Sequence, residues 1–365
     1  MRFTYVSGKR RVFAKLRRLG CISRAELARE CDLTRPAVSA IIEELIADGL
    51  VKELGPGRST GGKPPIMLEF VPSARCAIGI NLGGDGCIEG VICDLSCGVL
   101  FAESIAYVNR YDNILDVTGK IIRMLKNKIS SDRLTGVGVA VSGIVSDDGS
   151  VTYSNLDIVG RPLQADLQKI AGVPVMLERR PNAAALAEAL FGGGCDAERL
   201  VYLTSGVGVG AGFVVSGDIF SGRNGCAGEV GTLRLPDGSV LEEAARPRNM
   251  LSEYEKQTGE KVSFEEFLRR YFDGDTAADK LVMINAGQLA YAASAAANMF
   301  DPDAVVLGGD VLEFGEKYFD EFRRILLAGS VAAGLGKEPM VLRSTFGRRG
   351  VAVGGAQIIL DSLIC

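Results

Sequence analysis

Cys76-Ala77-Ile78-Gly79-Ile80-Asn81-Leu82-Gly83-Gly84 is an apolar run that empties into a glycine turn. The same plan returns at Leu200-Val201-Tyr202-Leu203-Thr204, which leads into Ser205-Gly206-Val207-Gly208-Val209-Gly210-Ala211-Gly212. Apolar runs of this length bounded by glycine read as buried strands. After the first, 88–93 and 99–107 read as the next strands of an antiparallel meander. An amphipathic helix is predicted over 114–129, a strand over 135–141 ending at Ser142-Gly143, a short strand over 173–177 and a helix over 182–190. After the second, 213–215 reads as a partner strand, and 304–307 runs into Gly308-Gly309. Strands alternating with helices make an α/β body, here with two halves of one plan and a cleft between them. Glycine lets backbone N–H groups come close to a phosphate. The plainer reading is that these glycines serve tight turns between buried strands. The spacing over 206–212 is G-x-G-x-G-x-G with no helix directly after it, which argues against a dinucleotide site, and no G-x-x-x-x-G-K-[ST] occurs.

Composition narrows the function classes. The 365 residues predict two or three domains, and the hydrophobic share of 47% excludes wholesale disorder. Glycine accounts for 46 residues, well above the usual ~7%. No apolar run reaches the ~18–20 residues of a membrane span; the stretch 286–300 is broken by Gln288 and Asn298. Residues 1–18 carry charges but no apolar segment of the secretory type, so a cytoplasmic protein is expected. The nine cysteines make no C-x-x-C pair, which predicts free thiols. There is no histidine, so triads and metal sites built on imidazole are excluded. Any chemistry falls to carboxylates, Lys, Arg or backbone.

Charge separates a head from the body. The net charge is −4, yet residues 1–70 hold 13 Lys/Arg against 8 Asp/Glu, leaving the remainder at −9. A small basic head on an acidic body predicts that only the head meets nucleic acid. A helix over 9–19 ends at Gly20. Ser23-Arg24-Ala25-Glu26 is a capping box that opens a second, short helix. Thr34 caps a third, with Pro36 tolerated in its first turn and Val38, Ile41, Ile42, Leu45 and Ile46 on one face. Strands over 50–54 and 66–70 then flank GPGRSTGGKPP, a glycine- and proline-rich wing carrying Arg58 and Lys63. This is a winged helix-turn-helix. Its candidate DNA contacts are Thr34, Arg35, Pro36 and Ser39 at the start of the third helix, with Arg35 suited to a bidentate contact on guanine, and Arg58 and Lys63 on the wing. The plain alternative is a three-helix bundle with a solvated basic face, or a protein-binding winged helix.

Further motifs, in this order, carry a family resemblance: Leu33-Thr34-Arg35-Pro36-Ala37-Val38-Ser39, Gly61-Gly62-Lys63-Pro64-Pro65, Ser154-Asn155-Leu156, Asn182-Ala183-Ala184-Ala185-Leu186, Gly225-Cys226-Ala227-Gly228-Glu229-Val230-Gly231 and Leu307-Gly308-Gly309. With the glycine turns at 79–84, they make the chain resemble the ROK family, which joins sugar-responsive repressors and sugar kinases on a two-lobed actin-like ATPase fold. The repressor branch carries an N-terminal winged helix. The resemblance implies domains at 1–70 (winged helix), 71–190 (first lobe, completed by a C-terminal helix at 350–365) and 191–349 (second lobe).

The departures from the family's kinases bear on activity. Where they show D-x-G-G-T, this chain has Asn81-Leu82-Gly83-Gly84-Asp85, and Val207 stands where their second phosphate loop carries Thr. Their E-N-D-A-N-A is Glu178-Arg179-Arg180-Pro181-Asn182-Ala183, so Arg180 occupies the place of the Asp that takes the sugar proton. A guanidinium does not deprotonate at physiological pH and cannot be that base. Their E-x-G-H is Glu229-Val230-Gly231-Thr232, and no cysteine follows in 233–242, so neither zinc nor any cofactor is expected. Asn155, Glu229 and Glu242 match family residues that bond sugar hydroxyls, though a loop Asn and capping or ion-paired Glu residues are the plain reading. Arg179 and Arg180, beside Asn182, favour an anionic group such as that of a sugar acid or sugar phosphate. Equally, the arginines could pair with Glu229 and Glu242 and close the pocket.

The sequence therefore predicts a transcriptional regulator, a repressor of carbohydrate-related genes, with a catalytically inactive kinase-like body. Its partners would be a pseudo-palindromic duplex operator, a sugar-type effector, and further copies of itself as a homodimer or dimer of dimers. The alternatives are a ligand-independent regulator with a closed pocket, and an ATP-dependent sugar kinase using another base such as Asp157.

Overall fold

The computed structural model of the chain describes residues 8–57, 64–83, 86–146 and 148–363. The head contains α1 (Gly8–Leu19), β1 (Cys21–Ser23), α2 (Arg24–Glu30), α3 (Arg35–Ala47), β2 (Val51–Pro56) and β3 (Ile66–Phe70). Ser23 and Glu26 form the expected capping box, each side chain bonding the other's backbone N–H. Thr34 caps α3 by accepting from Ala37 N. Phe13, Leu16, Leu27, Val38, Ile42, Leu45 and Leu68 close the core. The head's sheet has three strands, in the order β1-β3-β2, where two were predicted. The third strand, β1, has no periodicity of its own and exists through its pairing with β3, Cys21 lying opposite Glu69.

The first half of the body runs through β4 (Cys76–Leu82), β5 (Cys87–Asp94), β6 (Val99–Ala106), α4 (Tyr111–Lys126), β7 (Leu134–Val141), the hairpin of β8 (Ile144–Val145) and β9 (Val151–Tyr153), α5 (Leu163–Ala171), β10 (Val175–Arg179) and α6 (Arg180–Phe191). The second half contains β11 (Arg199–Ser205), β12 (Val209–Val215), β13 (Asp218–Ile219), α7 (Leu241–Ala245), α8 (Pro247–Thr258), α9 (Phe264–Phe272), α10 (Thr276–Phe300), β14 (Ala304–Gly309), α11 (Gly315–Ala328), α12 (Val331–Gly334) and β15 (Met340–Arg343), before α13 (Gly350–Ser362) ends the described chain.

The two large sheets share one plan. Their orders are β10-β7-β4-β5-β6 and β15-β14-β11-β12-β13. In each, the first strand of the half is central, an antiparallel meander extends from one side, and two parallel strands lie on the other. This is the duplicated unit the glycine-turn repeat predicted. One detail differs: Val209–Gly212 belongs to β12 rather than to a glycine loop. The glycine is needed there because a Cβ on Gly212 would lie 2.4 Å from Pro181 O in α6.

Between the sheets sit α6 and α13, packed on each other, with α13 against β4 and β7 and α6 against β11 and β12. The approach of α13 is very close. A Cβ on Gly79 would fall 1.8 Å from Ala352 O, and one on Gly138 1.8 Å from Gly355 O. Outside the second sheet, α7 to α11 build an apolar core around Met250, Phe267, Leu289, Phe314 and Phe322. Among the described residues no helix is long and apolar enough to cross a membrane, the alanine-rich α10 included.

Candidate functional site

The N-terminus of α6 faces a cavity of about 230 Å³ between the two sheets. The strand β10 delivers Arg179 and Arg180 to this point, and both line the cavity, as do Asn155, Glu229 and Glu242.

Arg180 joins the two altered kinase positions. Its Nε donates to Asn81 Oδ1 at 2.9 Å and its Nη1 to Gly83 O at 3.0 Å. The position of the catalytic base and that of the first phosphate loop are thus bonded to each other through a permanent cation. On the other glycine turn, Val207 lines the cavity, and the Asp310 carboxylate lies against Gly206, 2.9 Å from where a Cβ would stand. That carboxylate pairs with Arg348 at 3.4 Å. Gly84 and Asp85 lie outside the described residues.

Arg179 is 2% exposed. It forms an ion pair with Glu229 and donates to Ala227 O, while its Nε is buried without a hydrogen-bond partner among the described residues. Glu242, on α7, pairs instead with Arg246 at 3.5 Å. Burial raises the Glu242 carboxyl above its ordinary value, with the Arg246 charge opposing. Arg246 also donates to Val207 O at 3.4 Å, and its Nε is likewise buried without such a partner. The Asn155 side chain makes no hydrogen bond among the described residues, though its backbone oxygen accepts from Asn109. Tyr202 and Thr204 supply the floor, and burial pushes the Tyr202 phenol up to about 12, keeping it a hydrogen-bond donor near neutrality.

Two assignments are corrected. Asn182 does not line the cavity. It is fully buried and donates to Glu178 Oε1 at 2.9 Å, because two residues along a helix from Arg180 is nearly the opposite face. Asp157 does not reach the cavity either. It accepts from the Tyr111 backbone N–H at 2.9 Å, at the start of α4, and faces Arg161 at 3.7 Å. Arg246, Tyr202 and Thr204 were missed. The spacing of Arg246 four residues after Glu242 was the available signal for the first.

The residues do not make a zinc site. Thr232, in place of the family's histidine, donates its hydroxyl to Glu229 O at 2.8 Å, and no cysteine occurs in 233–242. Among the described residues no group of three or more metal-ligating side chains comes together.

On the head, Thr34, Arg35 and Pro36 are exposed at the N-terminus of α3 and Ser39 is half-buried. The Arg35 side chain has no ion pair or hydrogen bond among the described residues. Arg58 and Lys63 lie outside the described residues.

Comparison with known proteins agrees with this geometry. Residues 77–362 match the ROK family and residues 16–52 match a winged helix-turn-helix DNA-binding family. The chain is 25% identical over 359 residues to the xylose repressor of Bacillus subtilis (strain 168), a match covering 94% of this chain and 92% of that protein. Among solved structures, a ROK family transcriptional regulator, a homologue of the E. coli MLC protein, superposes with a TM-score of 0.78 at 24% identity, over 98% of this chain and 96% of that one. The ROK family glucokinase of Streptomyces griseus, solved with glucose and AMPPNP, gives 0.70 at 24% identity, over 78% and 98%. The chain belongs to the ROK family, in the branch that carries an N-terminal winged helix-turn-helix DNA-binding domain.

Proposed function

We propose that the protein is a DNA-binding transcriptional repressor of carbohydrate-related genes, whose kinase-like body receives an effector and transfers no phosphoryl group. One observation carries this reading: Arg180 replaces the proton acceptor and is hydrogen-bonded to Asn81, which replaces the carboxylate of the first phosphate loop. Phosphoryl transfer needs an oriented nucleophile and a neutralised phosphate, usually through Mg²⁺. Neither provision is present in this pair.

The body acts instead by binding. The cavity of about 230 Å³ is below the ~300–1,000 Å³ of pockets for drug-sized ligands, which suits a single sugar ring. Asn155, Glu229 and Glu242 offer acceptors to hydroxyls, and the three guanidiniums of Arg179, Arg180 and Arg246 suit one acidic substituent, as in a sugar acid or sugar phosphate. An effector changes the DNA-binding state only through unequal affinity for two arrangements of the lobes; a coupling of ~1–3 kcal/mol gives a 5–150-fold response. A cytoplasmic homodimer, or a dimer of dimers, would set the two recognition helices on operator half-sites about 34 Å apart or a multiple of that.

The Arg179–Glu229 pair favours a second reading, in which the pocket is filled from within and regulation needs no ligand.

The DNA-binding role is tested by selecting a preferred duplex from a random-sequence library and measuring variants on it. Arg35→Ala is expected to weaken the selected site by ~1–3 kcal/mol, about 5- to 150-fold, and to relax one base position, whereas Lys63→Ala weakens all sequences alike. Equal losses on selected and random DNA for both variants would remove Arg35 from base reading.

A further inference from the structure

We propose that Arg10 of α1 is a latch between the DNA-binding head and the second lobe, so that the angle between the lobes is read directly by the head. This inference rests on the reading of the interlobe cleft as the effector site.

The head holds the two lobes by different means. On the first-lobe side the attachment is apolar and buried: Val12, Phe13 and Leu16 of α1 belong to one continuous core with Ala352, Val353, Ala356 and Leu360 of α13. Arg17 reinforces it. Its side chain is 3% exposed, its Nη1 donates to Asp361 at 2.9 Å, its Nη2 to Gln357 at 2.5 Å and its Nε to Leu95 O at 2.8 Å. Burial of this kind does not come apart in a small rotation.

Toward the second lobe the attachment is polar and partly solvated. Arg10 pairs with Asp218, at the start of β13, and donates to Gly217 O at 3.3 Å in the preceding turn. The same guanidinium reaches Asp361 of α13 at 3.0 Å, so one side chain spans both lobes. Arg18 adds an exposed pair with Asp196, in the link between α6 and β11. Ion pairs with this much solvent access contribute up to ~1 kcal/mol. They break at small cost where the apolar seat holds. A rotation of the second lobe would therefore release Arg10 from Asp218 while the head stays on α13. Arg180 begins α6, which packs on both α13 and β13 and so links the cleft to the two elements that Arg10 joins.

The test uses the full chain and the selected operator duplex, with no effector present. Asp218→Asn removes the latch from the body side and Arg10→Gln from the head side. Neither residue lies on α3. Each variant is expected to change operator affinity by about five-fold, the equivalent of ~1 kcal/mol, in the same direction. The double variant should go no further than Arg10→Gln alone, since Asp218 acts on the head through Arg10. Operator affinities within two-fold of the parent for Asp218→Asn, with an unchanged melting temperature, would overturn the proposal. So would an effect of Arg10→Gln alone, which would assign the residue to Asp361 only. The effector reading fails on other grounds, by silence of the melting temperature towards sugars, so the two failures are separable.

Discussion

Arg17 and Arg179 are both guanidiniums withdrawn almost completely from solvent, one between head and body and the other in the cleft between the lobes. Each faces a carboxylate, Asp361 for the first and Glu229 for the second. The difference is in what remains. All three nitrogens of Arg17 have acceptors, whereas Arg179 keeps its Nε buried without one, and Arg246 across the cavity does the same. Burying a polar group without a partner carries a penalty of ~1–3 kcal/mol, so a saturated arginine reads as a structural pin. An unsaturated one lining a cavity reads as a place where a ligand's oxygen completes the set. The glycine turns in both halves of the body make the same contrast: the fold of a phosphotransferase is kept while the charges that would serve it are rearranged.

Removing each arginine tests this contrast. Arg17→Ala leaves Asp361 with Arg10 and takes the buried donor from Leu95 O and Gln357, and each hydrogen bond made by a charged group contributes about 1.5–3 kcal/mol. The expected outcome is a head that detaches readily, measured as faster tryptic release of residues 1–70. Arg179→Ala removes a pair whose acid is about one-third exposed, so a smaller loss of ~1–3 kcal/mol is expected, together with loss of any melting-temperature rise caused by a sugar or sugar acid. If Arg17→Ala removed the ligand response and Arg179→Ala left it intact, the comparison would be reversed. The smallest effect concerns thiols. Cys93 and Cys97 are buried beside the Arg17 seat, and burial pushes the Cys93 thiol up to about 12. Since the thiolate is the reactive form, both should resist iodoacetamide at pH 8 while the exposed Cys21, Cys87 and Cys226 react. Cys97 should become reactive in Arg17→Ala because the loosened head relieves its burial, a larger effect than loss of the Arg17 charge that favours its thiolate, and mass spectrometry of the alkylated peptides checks this.

The head was legible because its signals are local. Ser23 and Glu26, Thr34 and Pro36, and the spacing of Val38, Ile42 and Leu45 each act within one helical turn or two. The strand β1 was not, because three residues with no period are fixed only by a partner more than forty positions away. The duplicated sheets were legible as strand-into-glycine turns, but Gly210 and Gly212 read as loop when they are strand. Their glycine character answers to Pro181 of α6, which packs directly against them. In the site, the match of Arg179, Arg180, Glu229 and Glu242 to family motif positions was enough to place them at one cavity. The pairing was not readable: Glu242 takes Arg246 and Arg180 takes Asn81, choices set by the tertiary positions of α6 and α7. Asn182 failed for a simpler reason, since a motif position does not state which face of a helix a side chain occupies.

The account is tested most directly by the melting temperature of the purified protein against neutral sugars, sugar acids, sugar phosphates and MgATP. A ligand that binds only the folded state must raise it, by ~2.7 kcal/mol of stability at one hundred times its dissociation constant. The predicted result is a rise with a sugar or an anionic sugar, absent in Arg179→Ala, and none with MgATP. A rise with MgATP accompanied by ATP turnover on a sugar would contradict the inactive-kinase claim, and no rise with any compound would contradict the effector cleft.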